Sequence, residues 1–252
     1  MLIFAGMKGN NCHIYLLSLL FSVLVSVTAS AQSGWTVNWE GNAYLNGSTG
    51  DYLPFWQRTG HNGILPYTSA AVLTAGADLK YRADNGIFFE TGANLVGQAM
   101  TGSPWNDRGV KGIVDRLYLS AGWRMLHLDV GMKPREREFG DLSLTGGNMV
   151  FTGNTRNIPG VNAWSDWIYF EKGHWFGIRG NIAHYQTIDP RCIKNAMIHN
   201  KSFAFKIALG RKVDLEAGLD HWAQWGGVSP TIGKRPSTFK DFMRVVLGKQ
   251  GG

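Results

Sequence analysis

"LTAGADLKYRADNGIFFETGANL", residues 73–95, is two alternating runs joined by a turn. Leu73, Ala75, Ala77, Leu79 and Tyr81 fall on one side of an extended chain, and Thr74, Gly76, Asp78 and Lys80 on the other. A period of two is the mark of a β-strand, because successive side chains point to opposite faces. Ala83-Asp84-Asn85-Gly86 has the Asn-Gly chemistry of a tight turn. Beyond it, Ile87, Phe89, Thr91, Ala93 and Leu95 alternate with Phe88, Glu90, Gly92 and Asn94. The stretch predicts an antiparallel hairpin with one apolar and one polar face.

The same form recurs along the chain. Tyr118–Trp123 turns through Arg124-Met125 into Leu126, Leu128, Val130 and Met132, which alternate with His127, Asp129 and Gly131. Trp167–Phe170 turns through "EKGH" into 175–188, and the run ending at Leu209 turns through Arg211-Lys212 into a strand from Val213 to Trp225. No segment beyond the N-terminus sustains a 3.6-residue apolar period, so no helix is expected there. Connections alternate: tight at 83–86, near 124, near 172 and at 211–212, but long at 97–112, 134–164 and 189–201. A soluble sandwich, the rival architecture, has no reason to gather its long loops at one end. An outer-membrane barrel does, with short periplasmic turns and long external loops.

Glycines on the polar side suit a curved, crowded wall; Gly76, Gly92, Gly122, Gly131, Gly180 and Gly218 are assigned there. With Trp35–Leu45 as the first strand and 242–248 as the last, about ten strands are expected. The chain stops at "VVLGKQGG" after a long connection, with no closing strand and no terminal aromatic residue. The expected fold class is therefore all-β: the N-terminal portion of an antiparallel transmembrane β-barrel in the outer membrane, about ten strands and not closed.

Composition agrees. In 252 residues, charged side chains make up 17% and aromatics 12%, too few charges and too many rings for disorder. Mean hydropathy is −0.13, well below what several membrane helices would give but ordinary for a barrel with a polar interior. Residues 1–31 read as a cleaved signal peptide: Lys8, an apolar run over 14–27, then Ala29-Ser30-Ala31. The run is too short to span a bilayer as a helix. Export to the outer membrane follows, with residues 32–252 as one barrel domain. Without the leader the formal charge falls from +7 to +6, since only Lys8 is lost. That excess suits anionic glycans or lipid headgroups, while the lack of a dense basic run argues against nucleic acid. Cys192 alone remains, which excludes an internal disulfide and fits no zinc pattern, so no metal or other cofactor is expected.

Candidate ligand residues lie in the long loops and at strand ends. "PREREFGDLSLTGGNMVFTGNTRNIPGVNAW" (134–164) offers Arg135, Arg137 and Arg156 as forks for carboxylate or phosphate, and Asn148, Asn154 and Asn157 for sugar hydroxyls. Its internal "GGNMVFTGN" suggests a short hairpin folded across the mouth. In "GLDHWAQWGG" (218–227), parity puts His221 and Trp225 with Leu219 on the lipid side, and Trp222 with Asp220 on the lumen side. Trp222 is thus the sugar-stacking candidate and Trp225 an interfacial girdle residue. No catalytic residue is assigned, because His221 has no nucleophile context; His184 is the wall histidine a hydrolase reading would test.

"GSTGDYLPFWQRTGHNGILP" (47–66), "GMKPREREFGDLSLTGGNMVFTGNTRNIPGV" (131–161), "GLDHWAQWGGVSP" (218–230) and "PSTFKDFMRVVLGKQGG" (236–252) together resemble the Wzi-type capsule assembly family in its Bacteroidetes-like form. The likeness covers nearly all of the chain after the leader and keeps the order of the segments. It implies an outer-membrane lectin barrel that binds capsular polysaccharide at the cell surface, aids capsule assembly and is not an enzyme. Family barrels have about twice the strands visible here, and no ligand residue transfers from a short motif. The partners expected are capsular polysaccharide, outer-membrane lipid and lipopolysaccharide, around a monomer. The alternative from the residues themselves is a porin or saccharide-conducting channel.

Overall fold

The computed structural model describes residues 29–30, 34–48, 52–102, 108–135, 153–170, 173–188, 192–210 and 212–249. The expected leader lies outside them, except for Ala29–Ser30. These two residues form strand β1 against β2, Trp35–Asn46. Helix α1, Phe55–Arg58, precedes β3 (Ala70–Arg82), β4 (Ile87–Met100), β5 (Gly109–Trp123) and β6 (Leu126–Met132). Then come β7 (Gly160–Ser165), β8 (Ile168–Tyr169), β9 (Phe176–Gln186), β10 (Met197–Ala208) and β11 (Asp214–Trp225). A two-stranded β12 (Val228–Ser229) and β13 (Gly233–Lys234) leads to α2, Phe239–Val246. The protein is all-β, and β1 to β11 form a single antiparallel sheet in sequence order, with β8 beside β9 off the main path.

The opening hairpin pairs as expected, with Tyr81 opposite Phe89 and Leu73 opposite Gly97. Its turn closes through the Gly86 N–H donating to the Ala83 carbonyl at 3.0 Å, with Gly86 at φ 86°. The same end carries the Arg124-Met125 turn, where Arg124 takes φ 53°. Long connections stand at the other end, between β2 and β3, β4 and β5, β6 and β7, and β9 and β10.

The two faces of the sheet are inverted relative to a protein in water. Leu73, Leu95, Leu117, Leu119, Leu128, Ile182, Phe203 and Leu219 are exposed, Leu95 at 61% and Leu117 at 56%. In the paired registers of β2 to β11, this apolar face carries no Asp, Glu or Arg among the described residues, and Lys201 is its one lysine. The opposite face is the buried one, and it is polar: Thr74, Asn94, Gln98, Ser120, Asp129 and Asn200 are all below a tenth exposed.

Ionic and hydrogen-bonded bridges run across strands on that face. Glu40, Gly76, Asn94 and Arg116 form one row of paired residues from β2 to β5. The Arg116 guanidinium lies 2.9 Å from Glu40 and 3.0 Å from Asp78, and the Asn94 amide donates to Glu40 at 2.5 Å. Glu40 and Arg116 sit three strand spacings apart, roughly 14 Å in a flat sheet. Side chains meet across that span because the sheet curls toward its polar side. In the next rows the Tyr118 hydroxyl lies 3.0 Å from Asp78 and 2.9 Å from Glu90. Lys80 pairs with Glu90 at 2.9 Å, and Asp129 gathers Lys133 at 2.8 Å, Ser120 at 2.6 Å and the Trp164 indole at 2.7 Å. The charges of these bridges thereby meet an opposite charge or a donor, as burial demands.

Three expectations are corrected. Residues 242–248 are not a strand, since α2 runs through Val246 and is started by a capping box between Thr238 and Asp241. Gly180 stands on the apolar face, opposite Phe203 and between Ile178 and Ile182. Trp225 is on the apolar face as parity requires, yet it is 8% exposed, because Phe242 of α2 covers it with ring centroids 5.8 Å apart. No helix among the described residues is long and apolar enough to cross a membrane, which says nothing of crossing by strands.

Candidate functional site

At the long-loop end of the polar face, three elements converge on one cluster. Tyr185 comes from the end of β9, Trp222 from the end of β11, and Arg135 from the chain leaving β6. The Arg135 guanidinium donates to the Tyr185 hydroxyl and lies 4.6 Å from the Tyr185 ring centroid and 5.2 Å from that of Trp222. Such cation–π contacts hold the guanidinium in place and strengthen as the site is desolvated. The Trp222 ring is in turn oriented by its indole N–H, which donates to Asp220 at 2.7 Å.

A relay of amides supports Asp220 from behind. Asn181 donates to Asn162 at 3.3 Å and to Asn200 at 2.6 Å, and Asn200 donates to Asp220 at 2.6 Å. These residues are diagonal neighbours on one face across β7, β9, β10 and β11, each two positions from its direct register partner and still within side-chain reach. Ile158, Ala183, Tyr185 and Ile198 form a buried apolar patch next to Trp222. The outcome is a half-buried indole and a fixed guanidinium over a hydrogen-bonded base. A flat apolar ring beside a cation can stack on a sugar face and engage an acidic group.

The other candidates do structural work. Asn154 accepts hydrogen bonds from the Thr59 hydroxyl at 2.9 Å and the Gly60 N–H at 2.8 Å. Arg156 donates to the Val114 carbonyl at 3.1 Å, and Asn157 to the Asp115 carbonyl at 3.0 Å. Both acceptors lie where β5 carries one extra residue, Asp115, between the partners of Asn94 and Leu95. A bulge turns carbonyls out of the ladder, and Arg156 and Asn157 satisfy the two exposed here. Arg137 and Asn148 lie outside the described residues, as does most of "GGNMVFTGN". The segment 153–159 is therefore a strap: Asn62 donates to the Gly153 carbonyl at 2.6 Å, and Gln186 to that of Pro159 at 3.0 Å. Its course links the β2–β5 side of the sheet to β9.

Beside the strap, the β2–β3 connection folds onto the polar face. Ile64 and Leu65 pack on Ala70, Val72 and Val96, with Val72 0% exposed, and Gln98 donates to the Ile64 carbonyl at 2.5 Å. Sequence reasoning alone does not single out Tyr185. Its parity with Ala183 and Asn181 was available, but its meeting with Arg135 depends on a register across strands that no single run encodes. His184 stands on the apolar face with His199, Trp225 and Phe242 for neighbours. Among the described residues, no group of three or more His, Cys, Asp or Glu could hold a metal ion. Comparison with models of known protein families, with curated proteins and with solved structures finds no match to this chain.

Proposed function

We propose that this protein is an outer-membrane β-barrel whose long-loop end binds capsular polysaccharide and helps assemble the capsule at the cell surface. The observation that carries the reading is the Arg135–Tyr185–Trp222 cluster, set at the long-loop end of a sheet whose exposed face is apolar. A polar face tied by ion pairs and an apolar face open to the surroundings is the inside-out arrangement that hydrocarbon solvent demands. Strands of 12 to 15 residues in β2 to β5 exceed the roughly 9–11 a tilted strand needs to cross. Trp35, Tyr81 and Trp123 each stand on the apolar side at the tight-turn end, where an aromatic girdle would lie.

The mechanism is binding. Trp222 offers a stacking face to a pyranose ring, Arg135 pairs with a carboxylate or phosphate of an acidic repeat, and the amide relay fixes the platform beforehand. Preorganisation of this kind lowers the ordering cost that otherwise subtracts from affinity. The test is calorimetric titration of the detergent-solubilised chain with purified acidic capsular polysaccharide. Arg135→Ala and Trp222→Ala are each expected to weaken binding about tenfold or more, the loss of one charge-assisted contact or one stacked ring. Wild-type affinity in both variants sinks the site.

Planar-bilayer recording addresses the porin alternative. Ile64 and Leu65 pack on the polar face and side chains bridge it through Arg116 and Asp129, so low conductance is expected. A large, steady conductance favours the saccharide channel instead.

A further inference from the structure

Helix α2 lies against the apolar face at the long-loop end. Phe242 packs edge-on to His184 with centroids 5.3 Å apart and to His199 at 6.1 Å, and the Lys201 ammonium donates to the Val246 carbonyl at 2.5 Å. Lys201 thus satisfies one of the carbonyls that every helix leaves open at its C-terminus. It is also the one lysine on the apolar face among the described residues, and with His184 and His199 it gives that face a polar group under α2.

Only part of the apolar side of α2 is used in this contact. Phe239, Met243 and Leu247 point away from the sheet and are 76%, 38% and 60% exposed. At 3.6 residues per turn they form one stripe beside Phe242 and Val246, and Lys240 and Arg244 come next around the helix. The described segment 234–249 carries five basic residues, Lys234, Arg235, Lys240, Arg244 and Lys249, against one acid, Asp241. That acid is engaged in the capping box with Thr238. A short helix with an open apolar stripe flanked by cations is the form that lies at a bilayer surface, rings among acyl chains and charges among phosphates.

We propose that α2 is an interfacial docking site for anionic lipid, seating its Phe239–Met243–Leu247 stripe at the acyl boundary while Lys240 and Arg244 bind headgroup phosphates of the leaflet at the long-loop end. The proposal rests on the membrane-barrel reading, since it needs a bilayer around the apolar face. The occupant is set by charge: an apolar stripe alone would suit any greasy partner, but five cations beside it select a phosphate-bearing one.

The test places a nitroxide label at Met243→Cys in the full chain, with Cys12→Ser and Cys192→Ser, after refolding into phosphatidylcholine vesicles with or without phosphatidylglycerol. A second label at Leu117→Cys reports the wall. Accessibility to oxygen against an aqueous nickel chelate gives each label's depth, and Leu247→Cys repeats the measurement in case substitution at 243 disturbs packing. Both labels are expected in lipid, with the helix label seated more fully when phosphatidylglycerol is present. Lys240→Gln with Arg244→Gln should shift the seated-to-unseated ratio back by roughly thirtyfold, from the typical worth of two surface cations near anionic lipid. A wall label in lipid with helix labels in water overturns the docking proposal and leaves the barrel standing. Wall labels in water overturn the barrel reading and this proposal with it. Spin–spin broadening between helix labels, or equal depth in both vesicle types, overturns lipid-phosphate recognition by assigning the stripe to a second copy or to apolar contact alone.

Discussion

Gly76 and Gly92 lie beneath side chains that bridge the strands on either side of them. A Cβ on Gly76 would stand 2.6 Å from the Asn94 amide nitrogen and 2.8 Å from the Ala93 carbonyl oxygen, in the path by which Asn94 reaches Glu40. Gly97, on the apolar face, would meet nothing within 4 Å. Gly76→Ala is therefore expected to cost about 1–3 kcal/mol, the range for overfilling a packed site. Gly97→Ala should stay within about 0.5 kcal/mol. Urea unfolding of the chain refolded into vesicles checks the pair, and equal losses would detach the glycines from the bridges. At this scale the sequence was legible where chemistry is local. Trp222 with Asp220 on one face follows from parity alone, and the place of Arg135 in the connection after β6 puts it at the long-loop end. Arg156 and Asn157 were not legible, because their targets are carbonyls freed by a bulge at Asp115 some forty residues away.

Among elements, the strands are legible because each has one exposed apolar face and one buried polar face, so period two survives in nearly every run. Helix α2 is not, since eight residues give barely two turns of apolar spacing after the two-residue strands β12 and β13. Its readable signal was Thr238 followed three residues later by Asp241, a capping box with Asp in the acidic position. The hydroxyl of Thr238 and then its N–H hydrogen-bond the Asp241 carboxylate and hold its pKa below the usual range. A lowered pKa contributes stability that is present above the ordinary carboxylate value, about 3.9, and is lost as pH falls through the folded value. Amide protection over 241–247 should thus fall on acidification below about pH 4. Asp241→Asn, which cannot titrate, should show flat protection across the same range. Identical pH profiles in the two proteins would remove the cap from this role.

For the molecule as a whole, the inversion of the two faces decides what surroundings it needs. Leu117→Arg on the apolar face is expected to cost about 2–4 kcal/mol in vesicles, as for a cation near the bilayer midplane. If that face met water, the same change at a residue 56% exposed would stay within about 0.5 kcal/mol. Unfolding titrations of the variant in vesicles separate the two. The strap is anchored separately from the chain that leaves β6. Arg135, which follows β6, is clasped by Tyr185 and Trp222, and 153–157, which precedes β7, is tied to 59–62 and to the bulge of β5. Both landing points are therefore secured independently of what joins them. Doubling the length of a joined segment adds only about 0.6 kcal/mol of closure entropy. On the proposed function, the join between these two anchors can therefore change in length and sequence to suit a different surface sugar while the sheet beneath keeps its order.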